Sequence, residues 1–246
     1  MTILVTRPSP AGEQLVDRLR RLGKSACHSP LIEFAPGREL SLLPAKLAAM
    51  RPGDLAFVLS QHAVEYAHPC LQRAGLVWPA TLRWYAVGRA SALALHKVST
   101  LPVAWPEGRE NSETLLQLTD LQNLDGRRAL LLRGNGGREL LASTLAQRGA
   151  AISYCECYQR SPVHYDGPQQ SQRWRQLGID TLVITSGEML QRIYTLVPDY
   201  YRTCWLLKCR LIVVSQRLAD QASQLGWLDI RVADNADNDA LLRILQ

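Results

Sequence analysis

Small hydroxyl residues, glycines and arginines follow several apolar runs of the sequence. If these runs are strands of an open α/β sheet, their carboxyl ends lie beside helix N-termini, where free N–H groups bind anions. Glycines let the backbone approach a ligand, and arginines add fixed positive charge. The pattern predicts a site for a polyanionic small molecule. The candidate binding residues are Thr6, Arg7, Ser60, Gln61, Gly88, Arg89, Ser91, Arg133, Gly134, Gly136, Arg138, Thr185, Ser186, Ser215 and Gln216.

A serine or threonine at the start of a helix also has a purely structural role. Its side-chain oxygen caps the helix and stabilises it by about 1 kcal/mol without any ligand. Capping therefore remains open for each of these hydroxyl residues taken alone. The recurrence of the pattern at six strand ends is what favours a ligand.

The glycines at 134 and 136 partly match a dinucleotide-binding fingerprint, with Glu156 about twenty residues further on. Glu139 occupies the third glycine position, where it would crowd the helix and repel a pyrophosphate. We therefore expect neither NAD nor FAD. The sequence also lacks a phosphate-binding loop, HExxH and GxSxG, and its histidines are scattered, so core or surface roles are the default for them. Such a site suits a reactive substrate that mainly has to be held in the correct conformation.

The elements that would position these residues follow an internal repeat. The run 3–6 with its following helix matches the run 129–132 with its own helix, at an offset of 126 residues. The same offset, or 127, relates 54–64 to 180–190, 84–94 to 211–221 and 110–118 to 236–244. This spacing indicates a duplication, and alternating strands and helices predict an α/β fold with a doubly wound parallel sheet in each half.

The two matching helices predict specific core and terminal positions. The expected core residues are Leu15, Val16, Leu19 and Leu22 in the first helix and Leu141 and Leu145 in the second, and the expected helix ends are Gly23 and Gly149.

Length and charge narrow the class of protein. The 246 residues allow two domains, and 47% hydrophobic residues are enough for a substantial core. A net charge of +6 is consistent with binding to nucleic acid or to small anions. Runs of basic residues with interleaved aromatics would favour nucleic acid, and the sequence contains none. There is no apolar run long enough for a membrane span and no secretory signal pattern, so we expect a cytoplasmic protein.

Cys27, Cys155 and Cys157 lie in expected strands, which favours buried thiols.

The chain resembles the uroporphyrinogen-III synthase family along essentially its whole length and is similar to the enterobacterial form of that family. The resemblance rests on the order and spacing of eight segments. These segments are ILVTRP at the start, PLIEF at 30–34, LSQHAV at 59–64, AVGRASALAL at 86–95, LLLRGNGGREL at 130–140, ECYQR at 156–160, TSGEML at 185–190 and DNADNDALL at 234–242.

The resemblance implies a lyase of tetrapyrrole biosynthesis, on the route to haem and sirohaem. The substrate would be hydroxymethylbilane, a linear tetrapyrrole with eight carboxylates. Loss of its terminal hydroxyl, a spiro rearrangement that inverts ring D and ring closure would give uroporphyrinogen III. No metal or organic cofactor is implied. We expect a monomer that acts on this small molecule, received from hydroxymethylbilane synthase, without nucleic-acid or membrane partners.

The resemblance also implies an architecture: two similar lobes, joined by a two-stranded connector, with the active site in the cleft between them. The lobes would be interleaved. One would comprise 1–35 with 165–246 and the other 38–160, and the connector strands would be about 27–34 and 154–162. The repeat alone does not reveal this exchange.

The family's candidate for a catalytic acid is a tyrosine in the connector, which corresponds to Tyr158 in this sequence. A tyrosine stays protonated near neutral pH, so its phenol could donate a proton to the departing hydroxyl. Packing in the core is the alternative role. At Ser215 and Gln216 the sequence lacks the glycine and threonines of some relatives, which leaves side-chain contacts there in question.

Two other classes of protein remain open. One is a two-lobed anion-binding or regulatory module that performs no chemistry. The other is an enzyme that processes nucleotides or sugar phosphates. The product formed from hydroxymethylbilane would distinguish all three.

Overall fold

The computed structural model describes residues 1–137 and 139–246. Its strands are β1 (Thr2–Val5), β2 (Ser25–His28), β3 (Ile32–Pro36), β4 (Leu55–Val58), β5 (Arg83–Ala86), β6 (Val103–Ala104), β7 (Arg128–Gly134), β8 (Ala151–Pro162), β9 (Thr181–Val183), β10 (Arg210–Val213) and β11 (Ile230–Val232). Its α-helices are α1 (Ala11–Arg21), α2 (Leu43–Ala48), α3 (Gln61–Arg73), α4 (Arg89–Ser99), α5 (Ser112–Leu115), α6 (Leu140–Gln147), α7 (Gly167–Gln176), α8 (Gly187–Leu196), α9 (Asp199–Cys204), α10 (Gln216–Gln224) and α11 (Asn238–Leu245).

The chain divides into two compact units, and the first of them is discontinuous. Unit 1 consists of Met1–Phe34 and Ser161–Gln246, and unit 2 consists of Ala35–Arg160. The chain passes from unit 1 to unit 2 within β3 and returns within β8. The first strand–helix–strand segment therefore belongs with the C-terminal part of the chain.

Unit 1 contains a five-stranded sheet in the order β2-β1-β9-β10-β11, and its strand pairs are parallel. Successive residues of a strand face opposite sides of the sheet. Ile3 and Val5 pack on one side with α1 and α11, whereas Leu4 packs on the other with α7, α8 and α10. Helices thus cover both faces of this sheet.

Unit 2 repeats the arrangement in the order β8-β7-β4-β5-β6, and β3 adds a sixth strand beside β8. The five strands from β8 to β6 pair in parallel. Leu130 and Leu132 of β7 pack with α2, α3 and α4, and Leu131 packs on the opposite face with α5 and α6. The predicted pair of similar, doubly wound α/β units is confirmed.

The helices of the repeat end where the sequence predicted. Gly23 and Gly149 follow α1 and α6 and adopt positive φ angles of 74° and 97°, which glycine tolerates without strain. The other five expected core residues are buried, but Leu22 is 52% exposed. The prediction for Leu22 was wrong because α1 ends at Arg21. Leu22 is therefore the residue just after the helix and does not lie on its apolar face.

The connector is an antiparallel ribbon formed by β3 and the second half of β8. The amide of Gly37 donates to the carbonyl of Cys157, and the amide of Val163 donates to that of Leu31. A side chain at position 37 would place its Cβ 1.9 Å from the carbonyl oxygen of Glu156, so this close approach requires glycine. The stretch expected as one connector strand, 27–34, is divided, because β2 ends at His28 and β3 begins at Ile32.

Cys155 and Cys157 are fully buried, as expected for strand thiols, whereas Cys27 is partly exposed. Among the helices in the described part of the chain, none has both the length and the apolar character that crossing a membrane requires.

The exchange of the first segment predicts the behaviour of fragments. We expect residues 1–126 not to fold cooperatively, because β1 would lack β9 and β4 would lack β7, which are their neighbours in the two sheets. A fragment of residues 35–160 retains the strands β4 to β7 with their helices and serves as the comparison. Urea unfolding followed by circular dichroism measures both, and a cooperative transition for 1–126 would contradict the expectation.

Candidate active site

The predicted binding residues that the structure describes lie at or shortly after the carboxyl ends of parallel strands, and in each unit these ends share one edge of the sheet. In unit 2 the chain leaves β7 towards β8 on one side and leaves β4 towards β5 on the other. This reversal of strand order opens a crevice beyond the two strand ends, where ligands of such sheets bind. The corresponding reversal in unit 1 lies between β1 and β9.

A β-bulge turns Tyr158 towards the crevice of unit 2. Arg133 of β7 pairs with Glu156, but the next residue, Gly134, pairs with Tyr158, so Cys157 is the extra residue of the bulge. A bulge changes the direction in which the following side chain points. The Tyr158 ring accordingly packs against the same core face as Cys157 and lies at the edge of the sheet, partly exposed.

Gly134 provides the surface on which the Tyr158 ring lies. A Cβ at position 134 would be 2.6 Å from Cζ of Tyr158 and 3.0 Å from its hydroxyl oxygen. A Cβ atom in a protein does not approach a ring carbon as closely as 2.6 Å, so glycine is needed for the ring to occupy this position. The ring and the end of β7 are therefore in direct contact.

Ser60 connects the Tyr158 hydroxyl to the N-terminus of α3. It is the N-cap residue of this helix, and its Oγ accepts a hydrogen bond from the amide of Ala63. The same Oγ donates to the phenolic oxygen of Tyr158 at 3.0 Å. The serine thus performs the structural role that the sequence left open and also contacts the candidate acid.

Two more side chains of α3 flank the Tyr158 ring, and neither is among the predicted site residues. His62 meets it edge-on with ring centroids 5.6 Å apart, and Tyr66 stacks on it at 6.1 Å. Nδ1 of His62 forms a 2.8 Å hydrogen bond with Glu65, which lowers the pKa of that carboxyl. The signal was present, since positions 62 and 66 follow the Ser60 cap and share one helix face at i, i+4.

The loop after β7 is organised by Arg133. This arginine is 8% exposed, and its Nε donates to the carbonyl of Gly136 while a terminal nitrogen forms an ion pair with Glu139 at 3.0 Å. The hydrogen bond from Arg133 lowers the pKa of Glu139, and a second one from Tyr154 adds to this. Arg133 therefore shapes the loop, and its contact with a ligand stays a prediction. Arg138 lies outside the described residues.

Asn135 fastens the same loop to β8. Its backbone amide donates to the carbonyl of Tyr158, and its side-chain amide exchanges hydrogen bonds with the backbone of Arg160. These bonds hold Tyr158 and the part of β8 that follows it to the end of β7. The tyrosine is therefore supported by backbone as well as by ring contacts.

The remaining candidates in unit 2 differ in accessibility. Gln61 and Arg89 are exposed at the first positions of α3 and α4. Gly88 is buried against the Glu110 carboxylate, which a Cβ at position 88 would meet at 2.3 Å, and Ser91 is 8% exposed. Gln61 and Arg89 can reach a ligand directly, whereas Gly88 and Ser91 contribute to packing.

Thr6 follows β1 in unit 1, and its role in binding stays a prediction. It is fully buried, and its hydroxyl donates to the carbonyl of Val183 at 2.8 Å. Arg7 is half-buried and donates to the side chain of Asn238 at the start of α11. Burial lowers the pKa of Arg7, and the nearby Asp237 carboxylate opposes this shift.

The serines of unit 1 act as helix caps. Ser186 accepts from the amide of Met189 at the start of α8, and Ser215 accepts from that of Leu218 at the start of α10. Both are partly exposed, so capping leaves them within reach of a ligand.

The last two candidates of unit 1 have partners of their own. Thr185 is partly exposed and directs its hydroxyl towards the sulfur of Met189 at 3.7 Å. Gln216 is exposed and donates to Asp220 at 2.8 Å.

Among the described residues, no group of three or more His, Cys, Asp or Glu side chains is placed to hold a metal ion.

The crevice of unit 2 thus combines a phenol with a donor network. The helix amide of Ala63 donates to Ser60, which donates to the oxygen of Tyr158, a phenol that carries one proton of its own. If the phenol released that proton, the two donors would stabilise the negative charge left on its oxygen. The phenol, the serine hydroxyl and the helix amide therefore form one hydrogen-bonded chain at this edge of the sheet.

Comparison with protein families identifies the chain. The family model described as uroporphyrinogen-III synthase HemD matches residues 13–243. The chain belongs to the uroporphyrinogen-III synthase family. It is 61% identical to the family member of Salmonella typhimurium strain LT2 and 58% identical to that of Escherichia coli strain K12, over the full length of both chains in each case. The family member of Proteus mirabilis is 47% identical over 193 residues, which cover 78% of this chain and 97% of that one.

Solved structures of uroporphyrinogen III synthases share the fold. A mutant enzyme from Thermus thermophilus matches with a TM-score of 0.66 at 18% identity, covering all of this chain and 97% of the other. The enzyme from Helicobacter pylori 26695 matches with a TM-score of 0.57 at 15% identity, covering 99% and 97%. At these identities the likeness supports the fold alone, whereas membership of the family rests on the sequence matches.

Proposed function

We propose that the chain is a cyclising lyase that converts hydroxymethylbilane to uroporphyrinogen III in tetrapyrrole biosynthesis. The observation that carries the proposal is the position of Tyr158, whose phenolic oxygen accepts from Ser60 at the edge of the unit 2 sheet. Its proton is delivered to the terminal hydroxyl of the bilane, which leaves as water. The cation that remains then undergoes the rearrangement that inverts ring D, and the ring closes.

The contacts to the substrate follow from accessibility. Eight carboxylates require many N–H donors and several positive charges, and charge-assisted hydrogen bonds are the strongest of these contacts. In unit 2 we assign this role to the backbone around Gly136 and to Gln61, Arg89 and Arg138. In unit 1 we assign it to Arg7, Thr185, Ser186, Ser215 and Gln216. Arg133 and Gly134 act indirectly, through the shape of the loop and the position of Tyr158.

The proposal also covers the setting of the reaction. The protein acts as a monomer in the cytoplasm and takes up the unstable bilane as hydroxymethylbilane synthase releases it. Size-exclusion chromatography with light scattering tests the monomer. A comparison of free bilane with bilane generated in the same tube by the preceding enzyme tests the transfer.

The decisive experiment is the incubation of the protein with freshly prepared hydroxymethylbilane, followed by separation of the two product isomers. Uncatalysed closure in water gives the type I isomer, so rapid formation of the type III isomer shows the proposed activity. Binding without an excess of type III would favour a non-catalytic anion-binding module. If the protein neither binds the bilane nor forms type III product, the remaining class is an enzyme that processes nucleotides or sugar phosphates.

We expect Arg138→Ala to raise KM for the bilane about tenfold or more, because an arginine–carboxylate hydrogen bond is worth about 1.5–3 kcal/mol. The thermal unfolding midpoint should change little. Arg73→Ala is the matched control, since Arg73 is exposed at the opposite end of α3 from Ser60. A change in KM of less than twofold for Arg138→Ala would remove this residue from the substrate contacts.

A further inference from the structure

The N-terminus of α4 follows the carboxyl end of β5 and lacks a side-chain cap. Its N-cap residue is Gly88, whereas Ser60 at the same position of α3 caps its helix with a hydroxyl. The hydrogen bonds of α4 begin with the amide of Ala92, which donates to the carbonyl of Gly88. The amides of residues 89–91 precede this bond, and in the described structure no N-cap side chain accepts from them.

Ser91 packs at the same helix end and offers a further donor. It is 8% exposed, and its hydroxyl has no hydrogen-bond partner within residues 1–137 and 139–246. Side chains of a helix lean towards its N-terminus, so this hydroxyl at the third helical position lies over the first turn of α4. Burying a hydroxyl without a partner costs free energy, which an acceptor at the helix end would recover. The unpartnered donor therefore indicates that this helix end receives an anion.

A carboxylate of the chain itself already lies against this helix end. A Cβ at position 88, the first atom of an ordinary capping side chain, would be 2.3 Å from Oε2 of Glu110 and 3.0 Å from its Cδ. Glu110 therefore occupies the space of the missing cap, where the helix favours negative charge. Its carboxylate forms neither a hydrogen bond nor an ion pair with any described residue, and its side chain is exposed. Another carboxylate can thus displace it without breaking such a bond.

We propose that the N-terminus of α4 is a subsite for one carboxylate of the substrate, and that Glu110 occupies this subsite until the substrate displaces it. The bound carboxylate accepts from the amides of residues 89–91 and from the hydroxyl of Ser91. Arg89, exposed at the first helical position, adds a positive charge beside it. The inference rests on the proposed function and adds a residue that sets the affinity for the substrate.

The presence of Glu110 has a consequence for binding that can be measured. While its carboxylate covers the helix end, only the remaining fraction of the molecules can bind another carboxylate there. The apparent affinity is lower than the intrinsic affinity by that fraction. Removing the charge of Glu110 should therefore strengthen binding, whereas removal of an ordinary contact weakens it.

The first test uses succinate, a stable dicarboxylate, and the full-length protein labelled with ¹⁵N. The chemical shifts of the amides of residues 89–91 give the dissociation constant, with the ionic strength held constant by NaCl. We expect Glu110→Gln to lower this constant about two- to fivefold, the effect of one charge at a helix N-terminus. Ser91→Ala in the Glu110→Gln background should raise it again about three- to tenfold, because the anion loses a hydrogen bond.

Two further variants complete this test. Glu107→Gln is the matched control, because Glu107 is exposed in the same loop between β6 and α5 and the change of charge is the same. Its dissociation constant for succinate should equal that of the unmodified protein. Glu110→Ala also removes the carboxylate, so it should act in the same direction as Glu110→Gln and carries the test if the glutamine variant is unstable.

The second test measures the kinetics with the bilane. Glu110→Gln should lower KM about two- to fivefold, for the same reason as with succinate. The change should appear in KM and not in kcat, because a displaced Glu110 no longer occupies the subsite once the substrate is bound. If Glu110 instead accepts hydrogen bonds from the pyrrole N–H groups, or holds its loop in place for binding, its replacement will raise KM and the inference is overturned.

The outcomes separate this inference from the proposed function. If the unmodified protein forms no type III product while Glu110→Gln binds succinate more tightly, the proposed function fails and the carboxylate subsite stands. If type III product forms but Glu110→Gln changes neither the dissociation constant nor KM, the inference alone is overturned. Equal strengthening by Glu110→Gln and Glu107→Gln would also overturn it, because the net charge of the protein would then govern binding.

Discussion

Replacing Tyr158 by phenylalanine is expected to lower kcat by at least about a hundredfold, the lower end of what general acid catalysis commonly contributes. The substitution removes the phenolic oxygen alone, so the ring can keep its contacts with Gly134 and Tyr66. Without the acid, the hydroxyl of the bilane must leave unaided. Type I product should then accumulate, because bilane that the enzyme does not process still closes in water.

The stability of this variant should be nearly unchanged. The lost hydrogen bond between Ser60 and Tyr158 is worth about 1 kcal/mol in net terms. Ser60 remains the N-cap of α3 through its bond from the amide of Ala63. Isomer-resolved kinetics and a thermal unfolding curve measure the two effects separately. Near-normal turnover with pure type III product would leave Tyr158 as a packing residue and make the backbone amides and arginines the whole catalytic apparatus.

The fold was predictable because its determinants are local and repeated. The apolar runs alternate with helical patterns, and Gly23 and Gly149 mark equivalent helix ends. The offset between the repeats then aligns the strands, as β4 at Leu55–Val58 and β9 at Thr181–Val183 show. The exchange of β1 and β2 into the C-terminal unit was not predictable from the repeat, because either pairing would satisfy the same local patterns. The family resemblance was needed for that.

The positions of the candidate residues at strand ends were predictable, but the hydrogen-bond partners of their side chains were not. Residue type placed Thr6 and Arg133 at strand ends, yet both direct their polar groups inwards, to Val183 in the first case and to Gly136 and Glu139 in the second. Such partners depend on how loops distant in sequence come together. Hydroxyl residues that cap a following helix, such as Ser186, were anticipated because capping requires neighbours three residues away.

The bulge in β8 was invisible in the sequence. An uninterrupted strand would direct Tyr158 to the same side as Glu156, because side chains alternate along a strand. The extra residue at Cys157 reverses this and places the phenol beside α3. The position of the Tyr158 phenol therefore depends on one irregularity in strand pairing, which alternation of residue types does not reveal.

Gly134→Ala is expected to lower kcat about a hundredfold, the loss that a displacement of about 1 Å at a reacting group can cause. Gly134 belongs to β7, and its φ angle is outside the left-handed region, so alanine suits the backbone here. The new Cβ would, however, lie 2.6 Å from Cζ of Tyr158 and 2.7 Å from Cε2. The ring must move, and Tyr66 and His62 on its flanks limit where it can go.

A double-mutant cycle with Tyr158→Phe shows whether the effect of Gly134→Ala acts through the phenol. Effects of independent sites add, whereas effects of residues in contact do not. If Gly134→Ala acts by displacing the acid, it should cost little further activity in the Tyr158→Phe background, because the acid is already absent. Isomer-resolved kinetics of the four proteins provide the comparison. If the effects of the two substitutions on kcat are fully additive, the methyl group of Gly134→Ala disturbs a substrate contact at the end of β7. The substitution then does not act by displacing the phenol of Tyr158.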